Sequence, residues 1–142
     1  MTTVRQLLEK KGRNLWTIGP DETVYEAMAK MAEKDVGSLV VMDGEKILGI
    51  ITERHYSRNV VLKGKTSPTM PVGEIMEKNV VYVLPEQLLE ECMALMTDKR
   101  VRHLPVLEGG KVIGIVSIGD LVKGIISDQK FVINQLEHYI HS

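Results

Sequence analysis

The sequence contains few of the features that mark secreted and membrane proteins. Its single cysteine, Cys92, excludes an internal disulfide and fits a reducing compartment. Its longest apolar runs, such as residues 39–42, are too short to cross a membrane, and residues 1–10 have no apolar signal-peptide core. We therefore expect a cytoplasmic protein without a membrane partner, and we interpret Cys92 as a small buried apolar residue.

The chain also has little excess charge. Its 18 basic and 19 acidic residues give a net charge of −1, which argues against general affinity for nucleic acid, because such affinity depends on clustered cations. One local basic cluster, residues 99–103, leads into a predicted strand. It is either a solvated helix end or a site for an anion, and no nucleic-acid partner is predicted.

The sequence shows no constellation of catalytic residues. The four histidines, His55, His103, His138 and His141, have no metal-binding spacing with each other or with Cys92. No glycine-rich phosphate loop of the P-loop type and no nucleophile elbow are present. The sequence therefore predicts neither an enzyme nor a metal protein.

What the chain does contain is an internal repeat. Residues 36–55 align without a gap on residues 101–120, with a shift of 65. The identical positions of this alignment are Val36/Val101, Leu39/Leu104, Val41/Val106, Gly44/Gly109, Lys46/Lys111, Gly49/Gly114 and Ile50/Ile115. Two copies of one unit make up nearly the whole chain, and such a pair has a natural place for ligands between its halves.

Each copy predicts the order strand, helix, strand, hairpin, strand, helix. In the first copy, a short strand at residues 15–18 precedes a helix at residues 23–34, whose apolar residues have helical spacing. Asp43-Gly44 then lies between two apolar runs, a strong hairpin signal. Near-continuous apolar strands such as residues 112–116 indicate a sheet buried on both faces. The predicted fold class is α/β.

The predicted boundaries are repeat 1 at residues 1–63, a linker at 64–71, repeat 2 at 72–126 and a C-terminal helix at 127–142. The linker is polar and contains two prolines. The C-terminal helix carries one apolar stripe, formed by Phe131, Ile133, Leu136, Tyr139 and Ile140. We expect this stripe at a subunit interface, in a homodimer.

The last strand of the second copy ends in the pattern Gly114, Ser117, Asp120. Gly114 allows a ligand or a neighbouring segment to approach the backbone. Ser117 lies where a helix N-terminus attracts phosphate, and an ionised Asp120 can accept hydrogen bonds from both hydroxyls of a ribose. The same residues also fit a capping box, which is a purely structural alternative.

The repeated unit, with the sequence RHLPV on its middle strand and GIVSIGD at its last turn, resembles a CBS domain over about residues 4–126. The tandem pair resembles a Bateman module, and is similar to stand-alone bacterial CBS-pair proteins and to the regulatory insert of IMP dehydrogenase. This resemblance implies two repeats about a pseudo-twofold axis and a ligand-binding regulatory role rather than catalysis. The implied ligands are AMP, ADP, ATP or NAD, bound between the repeats.

The resemblance also implies roles for individual residues. The ribose and phosphates would be held by Asp120, Ser117, Arg102, His103, Arg54, Ser38 and Arg58. The adenine slot would be lined by Val81, Tyr82, Val83, Leu104 and Pro105, with backbone groups of the first strand reading the purine edge. A weaker second site would comprise Thr17, Ile18, Thr52 and His55, because His55 replaces the carboxylate and a neutral imidazole offers one acceptor. Arg58 is alternatively part of a solvated helix face, and Trp16 is interpreted as a packing residue.

The predicted function is an adenine-nucleotide sensor that transmits ligand occupancy to an unknown effector protein through the packing of its repeats. An alternative is a ligand-free scaffold that acts through its C-terminal helix. A third is binding of S-adenosylmethionine, which has no phosphate and would leave Arg54 and Arg102 without a role.

Overall fold

The computed structural model describes residues 1–64 and 68–141, with side chains as far as residue 139. Over these ranges the protein has five α-helices and two small sheets, so the predicted α/β class is confirmed. The chain forms two units. We call residues Asn14–Val80 the His55 unit, and Met1–Arg13 together with the described chain from Val81 onwards the Asp120 unit.

The His55 unit is built on a three-stranded sheet. Strand β1 (Thr17–Ile18) is parallel to β2 (Ser38–Asp43), which is antiparallel to β3 (Lys46–Thr52). Helix α2 (Val24–Lys34) begins at Thr23, whose hydroxyl accepts a hydrogen bond from the Glu26 N–H. Helix α3 (Glu53–Tyr56) continues into a π-helical turn (Ser57–Val61), and a short 3₁₀ helix (Val72–Glu74) follows. The buried core of this unit comprises Ile18, Val24, Ala27, Met31, Leu39, Val41, Ile51, Val60, Val72 and Ile75.

The Asp120 unit combines three helices with a hairpin. Its elements are α1 (Val4–Lys11), α4 (Leu89–Lys99), β4 (His103–Glu108), β5 (Lys111–Ser117) and α5 (Ile118–His141). Strands β4 and β5 pair antiparallel with a register shift between Val106 and Leu107, at the position equivalent to the shift between Val41 and Met42 in the first hairpin. The core comprises Val4, Leu7, Leu8, Val83, Leu89, Cys92, Met96, Leu104, Val106, Val116 and Leu121.

The two units do not coincide with the repeat boundaries predicted from the sequence. Helix α1 precedes the first repeat's strands but folds into the Asp120 unit, where the Val4 N–H donates to the Gln87 carbonyl at 2.9 Å. The 3₁₀ helix, in turn, folds into the His55 unit, where the Val72 N–H donates to the Glu22 carbonyl at 2.8 Å. Of the predicted linker at 64–71, residues 65–67 lie outside the described residues.

The first strand predicted for the second repeat forms only in part. Val83 makes an isolated parallel bridge with Val106, whereas Val81 and Tyr82 have no strand pairing. Proline explains the difference. In the His55 unit the Val40 N–H donates to the Trp16 carbonyl at 3.3 Å, but the residue aligned with Val40 is Pro105, which has no N–H to donate.

Two other details differ from the prediction. The predicted separate helix at residues 127–142 is the second half of α5, because residues 118–141 contain no proline to end the first half. The first hairpin forms as predicted, but its two-residue loop is Gly44-Glu45 rather than Asp43-Gly44. Only Gly44 has a positive φ there (60°), so one left-handed residue is enough for this turn.

Candidate functional site

The turn between β5 and α5 is held by two reciprocal hydrogen bonds. The Asp120 N–H donates to Ser117 Oγ at 3.2 Å, and the Ser117 N–H donates to Asp120 Oδ2 at 2.9 Å. This is the capping-box geometry that the sequence allowed as the structural alternative. It fixes the Asp120 carboxylate at the N-terminus of a 24-residue helix, where the helix dipole favours negative charge.

Lys11 is the nearest cation to this carboxylate, and sequence analysis missed it. Its Nζ lies 2.6 Å from Asp120 Oδ2 and 2.9 Å from the Ile115 carbonyl oxygen. The two residues are 109 positions apart, and no local pattern joins them. The only sequence signal was that residues 4–8 align on residues 72–76, which shows that α1 belongs to the repeated unit.

These contacts set the protonation of Asp120. Partial burial raises the pKa of Asp120 and is the largest single effect. The hydrogen bonds from Lys11 and from the Ser117 backbone oppose it, and together they hold the pKa below the usual carboxyl value. Asp120 is therefore an anion at neutral pH, as a hydrogen-bond acceptor for a diol must be.

The hairpin brings two predicted phosphate-binding residues to the same turn. His103 is the residue directly opposite Ser117 in the β4–β5 ladder. The Arg102 carbonyl accepts a hydrogen bond from the Ile118 N–H at 2.9 Å, and the Arg102 side chain is exposed. Ser117, Asp120, Arg102 and His103 thus lie at one end of this hairpin, and their binding of a ligand stays a prediction.

The residues predicted to line an adenine slot fall into two groups. Val83 and Leu104 are fully buried members of the core, and Pro105 is buried as well. The Val83 N–H donates to the Pro105 carbonyl at 3.0 Å, and the Val83 carbonyl accepts from Leu107 at 3.0 Å, so this backbone is not available to read a purine edge. Val81 is half-buried and Tyr82 is 51% exposed, which leaves these two as the accessible members.

The His55 unit repeats the same turn with different chemistry. The His55 N–H donates to Thr52 Oγ1 at 3.2 Å, and the Thr52 N–H donates to His55 Nδ1 at 3.1 Å. Burial lowers the pKa of His55, and the charges of Arg54 and Arg58 lower it further, whereas Glu77 opposes them. The imidazole is therefore neutral at pH 7, and its Nδ1 is already used as an acceptor.

The other residues predicted for a site in the His55 unit lie on its sheet, in α3 and in the π-helical turn. Ser38 lies opposite Thr52 in the β2–β3 ladder, the position that His103 has opposite Ser117. Arg54 is half-buried and Arg58 is exposed. Thr17 and Ile18 form β1, with Ile18 in the core. The expected contribution of Arg54 and Arg58 to a phosphate stays a prediction, as does a weak second site at His55.

Trp16 is a packing residue, as interpreted from the sequence. It packs against the core of the His55 unit, and Lys34 Nζ lies 4.4 Å from its ring centroid. Within the described residues no cluster of three or more histidine, cysteine, aspartate or glutamate side chains could hold a metal ion. No helix in that part of the chain is long and apolar enough to cross a membrane.

A family model described as the CBS domain matches residues 4–61 and again residues 72–127. The chain is 38% identical, over 98% of its length and 72% of the relative's, to the CBS domain-containing protein CBSX3, mitochondrial, of Arabidopsis thaliana. These matches cover nearly the whole chain, including both turns described above.

Solved structures show the same architecture. A signal-transduction protein with CBS domains from Burkholderia ambifaria is 53% identical, with a TM-score of 0.86 over 90% of this chain and 96% of that one. A hexameric CBS-CP12 protein from bloom-forming cyanobacteria is 31% identical, with a TM-score of 0.76 over 86% of this chain and 70% of that one. The fold predicted from the internal repeat is confirmed by these similarities.

Proposed function

The chain belongs to the CBS-domain family, and from that premise we propose that it is a regulatory module that binds an adenine nucleotide or NAD at the turn of residues 117–120. The family's members are commonly regulatory and ligand-binding. The observation that carries the specific proposal is the Asp120 carboxylate, ionised and held by the Ser117 N–H at the start of α5.

The carboxylate has the chemistry that a ribose diol needs. Two adjacent hydroxyls are best accepted by two carboxylate oxygens, and charge-assisted bonds of this kind contribute about 1.5–3 kcal/mol each. Ser117 keeps the carboxylate in place, so little side-chain freedom is lost when a ligand binds. Asp120 therefore acts as the ribose acceptor in the proposed site.

Positive charge for phosphate lies on the neighbouring strand. The Arg102 side chain is exposed at the end of β4, and a guanidinium matches phosphate oxygens with a planar pair of donors. His103 lies opposite Ser117, and the N-terminus of α5 adds the positive end of the helix dipole. This charge favours AMP, ADP, ATP or NAD over S-adenosylmethionine, which has no phosphate.

The adenine ring is assigned to the accessible pair, Val81 and Tyr82. Tyr82 presents half of its surface to solvent, and aromatic rings stack well on purines. Because Pro105 has no N–H, the Val81 carbonyl lacks the hydrogen bond that the aligned Trp16 carbonyl accepts from Val40. Val83, Leu104 and Pro105 support this segment from the core side.

The direct test is thermal melting and calorimetry of the full chain with AMP, ADP, ATP, NAD, NADH and S-adenosylmethionine. A ligand at one hundred times its Kd stabilises the fold by about 2.7 kcal/mol, a shift of several degrees in Tm. We expect a shift with at least one phosphate-bearing ligand, and we expect Asp120→Asn to weaken binding about tenfold or more, because a neutral amide loses the charge-assisted bonds.

Asp43→Asn is the matched control, since it removes one exposed carboxylate from the β2–β3 hairpin and leaves the turn at Asp120 intact. Its affinity should equal that of the wild type. Equal affinity of Asp120→Asn and wild type would contradict the ribose role. A shift in Tm with S-adenosylmethionine alone would show that the ligand is a sulfonium nucleoside and not a phosphate-bearing one.

A second candidate function, protein interaction through α5, is favoured by the exposed apolar residues on this helix. Those in its second half are Phe131, Val132, Ile133, Leu136 and Tyr139, each more than half exposed. Apolar side chains this dense are typical of a surface that is covered in an assembly. We propose a second copy of the chain as the partner, and the CBS-CP12 relative is described as hexameric.

Leu136→Glu should convert the dimer to a monomer in light scattering, whereas the exposed and already polar Lys130→Glu should not. Truncation after Gln129 should have the same effect as Leu136→Glu. If the truncated chain lost a partner but kept nucleotide affinity, the scaffold role would belong to this helix and the sensor role to the turn. A monomeric wild type would contradict the dimer.

The cytoplasmic location expected from the sequence remains part of the proposal. The Arabidopsis relative is described as mitochondrial. Fractionation of cells that express the native chain, with antibody detection, would decide between the two compartments. A regulatory rather than catalytic role is likewise proposed, and it predicts that a bound nucleotide is recovered chemically unchanged.

A further inference from the structure

We propose that Lys11 is a built-in competitor for the carboxylate of Asp120, so that a ligand with a ribose diol must displace Lys11 in order to bind. The inference rests on the proposed function, because it concerns the same carboxylate. The observation behind it is that Lys11 Nζ lies 2.6 Å from Asp120 Oδ2, within the hydrogen-bond distance that a hydroxyl accepted by the same oxygen would also require.

The acceptor capacity of Asp120 shows why the two compete. A carboxylate oxygen has about two lone-pair sites. Oδ2 already accepts from the Ser117 N–H at 2.9 Å and from Lys11 Nζ, so both of its sites are used. A hydroxyl accepted by the other oxygen, Oδ1, would not have to displace either of these two donors. A diol that engages both oxygens requires one of the existing donors to leave.

Lys11 is the donor that can leave. The Ser117 N–H is part of the turn that starts α5, and its hydrogen bond is reciprocated by the Asp120 N–H, so its departure would unravel the helix start. The Lys11 ammonium ends a flexible four-carbon stem, and its side chain is 31% exposed. Water can therefore replace the contacts that Lys11 gives up.

The backbone places Lys11 there. A Cβ added to Gly114 would lie 2.9 Å from Leu8 Cδ2, so the glycine is what allows α1 to pack directly on β5. Lys11 follows Leu8 by three residues and so lies on the same face of α1. The helix ends at Gly12, whose φ is +92° and whose N–H donates to the Leu8 carbonyl at 2.9 Å. Lys11 is thus fixed as the last residue of a packed helix.

The His55 unit shows that this arrangement is not a general property of the repeat. There the segment that packs on the equivalent glycine, Gly49, comprises Met76 and Glu77. The charge that this segment brings to His55 is the carboxylate of Glu77, which raises the pKa of His55 against the effect of burial. Of the two equivalent turns, only the turn at Asp120 sets a lysine against a carboxylate.

Adenosine is the probe that isolates the competition, because it carries no phosphate whose attraction would also be lost with Lys11. Calorimetry of the full chain should show that Lys11→Met binds adenosine about fivefold more tightly than the wild type, the factor that an ion pair near the surface is worth. Lys11→Arg keeps the charge and should stay close to the wild type. Lys10→Met removes the neighbouring, exposed lysine of α1 and should leave the affinity unchanged.

2′-Deoxyadenosine tests the diol itself. Its single ribose hydroxyl on this edge can be accepted by Oδ1 while Lys11 stays in place, so Lys11→Met should tighten its binding less than that of adenosine. Unchanged or weaker adenosine binding by a folded Lys11→Met would overturn the competition while leaving the proposed function standing. If neither the wild type nor Lys11→Met bound any adenine ligand, the proposed function and this inference would both be overturned.

Discussion

The first prediction concerns Gly49, a residue of β3 on which residues 76–77 pack closely. A Cβ at this position would lie 2.6 Å from the Glu77 carbonyl oxygen and 2.9 Å from Met76 Sδ. The Glu77 oxygen belongs to the backbone and cannot rotate away. Gly49→Ala therefore forces the segment at residues 76–77 away from β3.

The expected loss follows from the contacts that this segment makes. The Ile50 N–H donates to the Glu77 carbonyl at 3.0 Å, and the Glu77 N–H donates to the Ile50 carbonyl at 2.8 Å. Two hydrogen bonds of about 0.5–1.5 kcal/mol each are strained or lost, and overpacking adds about 1–3 kcal/mol. We expect a decrease of about 2–6 kcal/mol in the free energy of unfolding, which lowers Tm by roughly 6–18 °C for a chain of this size.

The assay is urea unfolding followed by circular dichroism, with thermal melting as a second measurement. Gly114→Ala should be less destabilising, because the nearest atom to its Cβ is the end of the Leu8 side chain rather than backbone. Gly119→Ala is the control, since its Cβ would meet only Ser117 Oγ, at an ordinary 3.7 Å, and alanine favours a helix. A Gly49→Ala protein as stable as the wild type would refute the close-packing argument.

Two further predictions concern titratable groups. Burial lowers the pKa of His55 in the folded state, so the unfolded state binds more protons and stability falls as the pH is lowered from 7.5 towards 5.5, around and below the unfolded pKa of about 6.5. His55→Gln keeps an acceptor for the Thr52 N–H and should flatten this pH dependence in thermal melts; an unchanged slope would assign it to another group. Burial also raises the pKa of the Cys92 thiol to about 11, and its side chain is fully buried. The rate at which a disulfide reagent labels the native protein should therefore equal the rate at which the protein unfolds. Fast labelling under native conditions would contradict this packing.

The hairpins and the two turns could be predicted because their signals are local. The glycine that signals the first hairpin, Gly44, lies in its loop, and the reciprocal pairs at Thr52/His55 and Ser117/Asp120 follow from residues three apart. What could not be predicted depends on residues far apart in the chain. The Lys11 contact spans 109 positions, and the loss of strand pairing at Tyr82, the residue aligned with Thr17, depends on a missing N–H in Pro105, on the neighbouring strand.

Gly114 was recognised from the sequence as a site of close approach, but the segment that approaches it was not. The sequence allowed either a ligand or a neighbouring segment to lie against this glycine, and the structure places Leu8 of α1 there. The same packing brings Lys11 to Asp120, so the glycine of the repeated pattern affects the carboxylate through a helix from the other end of the chain. Since Gly49 and Gly114 are aligned but face segments of different sequence, each turn receives a different charge from outside its own repeat pattern. The incoming segments, with Glu77 in one unit and Lys11 in the other, therefore add a second charge difference to the exchange of His55 for Asp120.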